Sequence, residues 1–166
     1  MPISLESLAS RIDPQKSILF FGSGASIPSN APSVGTLIDS LSKRFNIEPS
    51  DYTLAELTEI ICVEHDRRDL VSHLRSCFRT VRPSGGMLNL PLYDWKSIYT
   101  TNYDNIIEES YRRKEKDLKV YTSNYDFDAT AAPSHQKLFK IHGTLEKDKS
   151  YGDASKMVIT EGDYAD

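Results

Sequence analysis

Four short apolar runs, each followed by turn residues or a polar motif, constrain the fold of this chain more than any other feature. Each run is too short for a helix and is bounded by turn residues, which predicts buried strands of a parallel sheet. Segments with helical spacing separate most of them. This alternation predicts an α/β fold with a Rossmann-like parallel sheet. The predicted strands are 17–21, 95–100, 118–121 and 137–141, and 157–159 is a fifth candidate.

The segments between these strands carry apolar residues at the spacing of amphipathic helices. A length of 166 residues suits one domain, which we assign to 1–166. Residues from about 46 to 91 lengthen the connection between the first two strands and predict a helical insertion on the sheet, not a separate domain. The polar segment 122–135 predicts an exposed loop. Helices are predicted at 5–12 (capped by Ser4), 34–45, 54–65, 70–78 and 105 to about 116.

Composition excludes several classes of protein. The net charge of −4 gives no electrostatic reason to expect nucleic acid. No apolar run approaches the roughly 20 residues that span a bilayer, and the first residues lack a secretory signal pattern. Cys62 and Cys77 have no CxxC spacing and are predicted to be free thiols on helical faces, which suits a reducing cytoplasm. The histidines form no HxxxH or HExxH pattern, so no metal site is predicted.

Three polar motifs follow directly after three of the predicted strands. They are GSGAS at 22–26, TTNYD at 100–104 and HG at 142–143. The carboxyl ends of parallel strands meet at one edge of a sheet, and nucleotides bind at that edge in α/β proteins. We therefore expect the three motifs to form a single site.

Each motif has a functional and a structural interpretation. The glycine turn at 22–26 can present backbone N–H groups to a phosphate, with Ser26 adding a hydroxyl, but Ile27 occupies the place of the third glycine in GxGxxG. Alone, this motif is equally consistent with a plain strand-to-helix turn. Asn102 can hold a ribose hydroxyl or a water and Asp104 can accept a bond from an exocyclic amide, although either can simply cap the next helix. His142 is placed to act as a general base, although a lone histidine is more often structural.

Taken together, GSGAS, TTNYD and KIHG resemble the sirtuin (silent-information-regulator) superfamily, which carries GAGxS, TQNxD and HG in this order. WKSIYTTNYDNIIEES, KLFKIHGTL and MVITEGDY are typical of its divergent prokaryotic branch, and the resemblance extends from about 17 to 164. It implies that NAD is the substrate, that no metal is needed, and that Asn102 and His142 are catalytic. The implied NAD-binding residues are Gly22, Ser23, Gly24, Ala25, Ser26, Pro32, Thr100, Thr101, Asp104 and Gly143.

Departures from the deacetylase pattern change the implied activity. Deacetylases of the superfamily usually carry a four-cysteine zinc ribbon, whereas this chain has two cysteines, both before TTNYD. The counterpart of their GIPDFR motif is NAPSVG at 30–35, which lacks the Asp and the Arg, and Thr101 replaces the usual glutamine. The resemblance therefore implies NAD+ hydrolysis to nicotinamide and ADP-ribose, as in anti-phage defence effectors. An NAD-dependent protein deacylase and a non-catalytic NAD or ADP-ribose sensor or assembly module stay open as alternatives.

The resemblance also implies partners and a longer chain. Effectors of this kind assemble into homo-oligomers and are gated by a partner protein or a further domain. The family's sheet continues past VITEGDY with a helix and a strand that help to hold adenosine, but this sequence stops at Asp166. We expect an amino-terminal fragment whose sheet lacks its carboxy-terminal strands and has an uncovered edge.

Overall fold

A computed structural model describes residues 3–48, 50–122, 135–148 and 156–165. Its α-helices are Leu5–Ala9 (α1), Val34–Phe45 (α2), Leu54–Glu64 (α3), Arg67–Phe78 (α4), Ile106–Arg113 (α5) and Glu161–Ala165 (α6). Its strands are Ile18–Phe21 (β1), Ser97–Thr100 (β2), Leu118–Tyr121 (β3) and Gln136–Lys140 (β4). Short 3-10 helices cover Pro14–Lys16, Ser23–Ser29 and Gly85–Leu92.

The four strands form one sheet in the order β1-β2-β4-β3, and every pairing is parallel. This confirms the predicted α/β fold with a parallel, Rossmann-like sheet. Because β2 lies between β1 and β4, the carboxyl ends of these three strands are neighbours. The loops that follow them carry the three polar motifs, so the topology brings those motifs to one edge of the sheet.

Local capping sets where the helices begin. Thr53 and Glu56 form a capping box at the start of α3, each side chain bonding the other residue's backbone N–H. The predicted helix at 70–78 begins earlier, at Arg67, because the Asp66 carboxylate accepts the backbone N–H of Arg68. The helix after β2 ends at Arg113 and not near 116 as predicted. Glu115, two residues further on, takes a left-handed conformation with φ of 52°, so the helix does not continue through it.

One face of the sheet is covered by helices. Ile98 and Leu138 project from the two central strands and are fully buried. They pack in one cluster with Ile107 and Tyr111 of α5 and with Leu90 of a 3-10 helix. Burial of this kind on both faces is usual for parallel sheets.

The opposite face carries an aromatic row, which consists of Phe20, Tyr99, Phe139 and Tyr121 at aligned positions of the four strands. The Tyr99 and Phe139 rings stack with centroids 4.7 Å apart, and Phe139 stacks on Tyr121 at 4.9 Å. Phe20, at the β1 edge, is 64% exposed. The row therefore runs from a buried end at Tyr121 to a solvent-exposed end at Phe20.

The main core lies among α2, α3 and α4 and includes Leu41, Leu57 and Leu74. Met157 and Ile159 belong to this core, and both are almost fully buried. The predicted fifth strand at 157–159 is wrong, because this segment is irregular. Its backbone N–H groups bond to the Asp148 and Asp163 carboxylates and to the His142 carbonyl, and not along a strand ladder.

Two further sequence predictions concern the two cysteines and the loop at 122–135. Cys62 and Cys77 are half-buried free thiols, both on helices, as predicted. Most of the loop predicted at 122–135 lies outside the described residues, which resume at His135. Among the described helices, none combines the length and apolar character needed to cross a membrane.

Candidate active site

The three motifs meet at the carboxyl ends of β1, β2 and β4, around a cavity of about 260 Å³ that we call the site cavity. Every motif contributes to its wall. The predicted site residues that line it are Ser23, Ser26, Pro32, Thr101, Asn102, Asp104 and His142. The expectation that separate motifs form a single site is therefore consistent with the geometry.

A chain of side-chain hydrogen bonds joins the first motif to the second. Asn102 Nδ2 donates to Ser26 Oγ at 2.9 Å, and Ser26 Oγ donates to Asp104 Oδ2 at 2.7 Å. Ser26 and Asn102 are buried. The Ser26 hydroxyl thus accepts from the amide and donates to the carboxylate, which fixes the orientation of both groups.

The other end of the Asn102 amide is unpaired. Within the described part of the chain, Asn102 Oδ1 has no hydrogen-bond partner, although the residue is only 9% exposed. A buried acceptor without a partner is costly and is rare in folded proteins. Because Asn102 lines the site cavity, a ligand hydroxyl or a water can donate to this oxygen. The residue therefore fits the role of holding a ribose hydroxyl.

Asp104 serves the fold as well as the site. Its Oδ1 accepts the backbone N–H of Ile106 at 3.0 Å, at the first residue of α5, while Oδ2 accepts from Ser26. The N-cap residue itself is Asn105, whose side chain makes no capping bond. The interpretation that Asp104 or Asn102 is the N-cap residue is therefore wrong, although Asp104 does accept the N–H of the first helical residue. A ligand amide would share a carboxylate that already accepts two bonds.

Lys140, the last residue of β4, anchors the loop that carries Asp104. It is 1% exposed, and its Nζ donates to the Asp104 carbonyl, to Glu108 Oε1 at 2.8 Å and to Thr144 Oγ1 at 3.4 Å. A buried ammonium is tolerated when it is paired and hydrogen-bonded in this way. Sequence reasoning missed it, because an alternating strand with lysines at 137 and 140 gives no sign that one of them is buried.

His142 lies in the turn after β4 and is half-buried. In the described residues its imidazole has no hydrogen bond and no carboxylate partner. It packs edge-on to the Tyr164 ring, with centroids 5.4 Å apart, and lies 6.4 Å from the Tyr103 ring. Burial lowers the pKa of His142 below its usual value, so the neutral imidazole, which can accept a proton, predominates at pH 7.

The glycine after His142 is required by the fold. Gly143 has φ of +73°, a conformation that favours glycine. A Cβ atom here would also lie 3.1 Å from the Met157 Cα. Gly143 thus allows the turn to pass close to the buried segment at 157.

The glycines of the first motif have a different character. A Cβ atom on Gly22 or Gly24 would meet nothing within 4 Å, and Gly22 has an ordinary extended backbone with φ of −107°. The Ala25 N–H donates to the Gly22 carbonyl and opens the 3-10 helix Ser23–Ser29. The fold does not need these glycines, and the open space above them suits the close approach of a ligand to the backbone.

Thr100 lies beneath the site and does not line the site cavity. It is 2% exposed, and its Oγ1 donates to the Phe21 carbonyl at 3.1 Å and accepts the Asn102 N–H at 3.0 Å. The first bond joins the end of β2 to the end of β1, and the second holds the turn that leads to Asn102. Thr100 therefore supports the loop on which Asn102 is mounted.

Two tyrosines that were given no role from sequence line the same cavity. Tyr103 Oη donates to the Val158 carbonyl at 2.8 Å, and burial raises the pKa of this hydroxyl. Tyr164, from α6, packs on His142 and is 57% exposed. The only sequence signal for them was their position inside TTNYD and TEGDY. Together they connect the carboxy-terminal segment to the site.

An ion cluster holds that segment in place; it consists of Arg67, Asp148 and Asp163. Arg67 donates to Asp163 at 2.9 Å, to Asp148 at 3.3 Å and to the Met157 carbonyl at 2.7 Å. The Asp148 and Asp163 side chains are 0% and 3% exposed. The cluster ties Asp148, Met157 and Asp163 to the start of α4, and nothing in the sequence pattern indicated it.

No group of three or more His, Cys, Asp or Glu side chains in the described ranges is arranged to hold a metal ion.

Residues 96–166 match the family model described as SIR2-like domain. The match includes the second and third motifs and the TEGDY segment, whereas GSGAS lies outside it. No curated protein matches the chain. Members of the SIR2-like family are NAD-dependent enzymes. The α/β fold and the matched residues together support a relationship of this chain to the sirtuin-like superfamily.

Proposed function

We propose that this protein is an NAD+ hydrolase that cleaves the bond between nicotinamide and ribose. In this reaction the C–N bond at the anomeric carbon breaks and its electron pair leaves with nicotinamide, which becomes neutral. The oxygen of a water molecule bonds to the anomeric carbon, and a proton from that water passes to His142 and then to solvent. The products are nicotinamide, ADP-ribose and a proton.

The unpaired Asn102 oxygen carries this proposal. It is a buried acceptor of a residue that lines the site cavity, and the bond from Asn102 Nδ2 to Ser26 fixes the orientation of the amide. A ribose hydroxyl, or the attacking water, can donate to it. Polar groups held in place before the reaction stabilise charge at the reacting carbon without reorganising, which makes them effective in catalysis.

His142 supports a base-assisted attack by water. It lines the same cavity, and burial keeps its imidazole neutral near pH 7. A neutral imidazole close to neutral pKa is suited to general base catalysis. Because no described carboxylate orients it, packing against Tyr164 is what restricts the ring.

The size of the site cavity suits one end of the substrate. Its volume of about 260 Å³ is slightly below the roughly 300–1,000 Å³ of pockets that enclose drug-sized ligands. It fits the nicotinamide and its ribose better than a whole dinucleotide. The open backbone at Gly22 and Gly24 is the natural path for the pyrophosphate.

The test is release of nicotinamide from NAD by the purified protein, followed by chromatography, without an acylated peptide. Asn102→Ala and His142→Ala should both abolish release. Asn89→Ala and His65→Ala, which change exposed residues of the same types elsewhere, should not. Release that persists in both site variants would show that the assigned residues do not catalyse the reaction.

The alternatives give different results in the same assay. Turnover that requires an acyl-lysine peptide would identify a protein deacylase. NAD binding in calorimetry without any turnover would identify a sensor or an assembly module. We favour hydrolysis because the Asp and Arg of the deacetylase motif are missing from 30–35.

We further propose a role in anti-phage defence as a cytoplasmic, NAD-depleting effector, acting as a homo-oligomer gated by a partner protein or domain. This role rests on the resemblance of the three motifs to the divergent branch. Cells that carry the gene should lose NAD on phage infection, and cells with the Asn102→Ala variant should not. Equal NAD loss in both strains would rule out this role.

A further inference from the structure

A second cavity, of about 420 Å³, lies beside the site cavity, between the carboxyl end of α4 and α5. We call it the arginine cleft, because Arg75, Arg79, Arg82 and Arg112 line it. Neither the three motifs nor the proposed hydrolysis uses these side chains. The concentration of guanidinium groups in a chain with net charge −4 therefore needs its own explanation.

Three of the four guanidinium groups lack a carboxylate partner in the residues that the structure describes. Arg75 donates to the Leu145 carbonyl at 2.8 Å and to the Asp148 carbonyl at 2.6 Å, and Arg82 donates to the carbonyls of residues 79 and 81. Arg79 is exposed, and its side chain has no hydrogen bond or ion pair within the described ranges. None of these three guanidinium groups is therefore held in an ion pair by a described carboxylate.

The carboxylates that line the cleft are already engaged. Glu109 pairs with Arg112 at 2.7 and 2.8 Å, and these bonds hold the pKa of Glu109 far below its usual value. Glu146 accepts from Asn105 Nδ2 at 2.7 Å, and Asp104 accepts two bonds of its own. Of the three carboxylates only Glu109 is ion-paired within the described part of the chain, and the four guanidinium groups exceed the carboxylates of the lining by one positive charge.

We infer that the arginine cleft binds a small anion that carries phosphate groups, of the nucleoside diphosphate class. The planar guanidinium group matches phosphate oxygens with paired hydrogen bonds, which a lysine ammonium cannot do. Phe78, Val81 and Leu145 give the cleft an apolar wall for a base or a ribose. The negative net charge and the acidic rim at Glu109 and Glu146 disfavour a long polyanion such as DNA.

Because the cleft adjoins the site cavity, a ligand bound in the cleft affects the site. Phe78, Tyr103 and Asp104 line both the arginine cleft and the site cavity. An anion held beside the Asp104 carboxylate acts on a residue that Ser26 connects to Asn102. Occupancy of the cleft therefore changes the affinity of the site for its substrate, and substrate changes the affinity of the cleft equally. This coupling, unlike binding itself, rests on the proposed function.

The experiment is calorimetric titration of the protein with ADP, inorganic pyrophosphate and adenosine. ADP and pyrophosphate should bind and adenosine should not. Arg79→Ala should weaken the binding of ADP about tenfold, because it removes a charged hydrogen-bond donor. Arg79→Glu should abolish it. Arg11→Ala, an exposed arginine outside the cleft, should bind like the wild type, and circular dichroism should show that all variants are folded.

Several outcomes would overturn the inference. They are adenosine binding as tightly as ADP, equal losses in Arg79→Ala and Arg11→Ala, or Arg79-dependent binding of a DNA duplex that is tighter than binding of ADP. The Asn102→Ala variant separates this proposal from the hydrolase. It should lose nicotinamide release but keep ADP binding, whereas loss of ADP binding there with retention in Arg79→Ala would place the anion in the site cavity.

Discussion

Two buried polar networks of this protein look alike but have different consequences. The ion cluster of Arg67, Asp148 and Asp163 and the chain from Asn102 through Ser26 to Asp104 each contain a buried atom without a described partner, Arg67 Nε and Asn102 Oδ1. Arg67 lines neither the site cavity nor the arginine cleft, whereas Asn102 lines the site cavity. An unpaired buried atom therefore suggests a ligand only where space adjoins it.

The largest expected effect is on stability and comes from breaking the ion cluster. Arg67→Met removes the guanidinium that bonds to the buried Asp148 and Asp163 carboxylates, while Lys156 still pairs with Asp163, and it should lower the free energy of unfolding by about 3 kcal/mol. Urea unfolding measures it. The neighbouring Arg68→Met removes an exposed pair with Asp66 and should cost at most about 1 kcal/mol. Equal losses in the two variants would show that the cluster does not stabilise the fold.

The hydrogen-bonded side chains of Asn102, Ser26 and Asp104 should give the opposite pattern, with a large loss of activity and a small loss of stability. Asn102→Ala should reduce nicotinamide release by about 100-fold or more, the usual loss when one fixed polar group at a reacting centre is removed. Its free energy of unfolding should change by about 1 kcal/mol or less, because one neutral hydrogen bond is lost together with an unpaired oxygen. Activity assays and urea unfolding of the same preparation test this. A variant that is unstable but active would reverse the comparison.

The two networks should also respond differently to acid. Burial by itself would raise the pKa of Asp163, but Lys156, the Thr160 and Ile159 amides and Arg67 together hold it well below its usual value. Its contribution to stability is therefore complete above the unfolded pKa of about 3.9 and is lost as the pH falls below it. Unfolding midpoints measured from pH 5 to pH 2 should fall steeply for wild type and less steeply for Asp163→Asn.

At the site, a fall in pH should reduce the rate of NAD hydrolysis before it reduces the stability of the fold. Burial lowers the pKa of His142, so the base form persists until the pH falls below the usual histidine value of about 6.5. The acid limb of kcat/KM for NAD should therefore have its midpoint below 6.5. A midpoint at or above that value would show that His142 is not the group that titrates.

The smallest expected effect comes from Ser26, whose hydroxyl joins Asn102 to Asp104. Ser26→Ala removes one bond to Asp104 and one from Asn102, and it should lower nicotinamide release about tenfold, in keeping with the loss of a charge-assisted hydrogen bond. Ser10→Ala removes an exposed hydroxyl bond and should leave the rate unchanged. A larger loss than in Asn102→Ala would make Ser26 the principal site residue.

The sequence predicted those parts of the molecule that depend on local signals. Short apolar runs predicted all four described strands, and the motifs at their ends predicted that three loops meet at one edge of the sheet. Contacts between distant residues were not predictable, because Ser26 and Asp104, or Arg67 and Asp163, carry no local mark of their pairing. The segment at 157–159 shows where prediction from local sequence signals fails. Its apolar residues suit a strand, but its amides bond to buried carboxylates that only the folded chain brings near.

The strand order also has a consequence for how the protein folds. Ser26 and Asn102 lie 76 positions apart in the chain, and β4, which completes the interior of the sheet, is the last of the four strands to be synthesised. Long loops must close before such contacts form, which slows folding. The site should therefore assemble late, and a nascent chain should have no NAD chemistry until β4 has left the ribosome. Were the protein the NAD+ hydrolase proposed above, unfinished chains would not consume NAD.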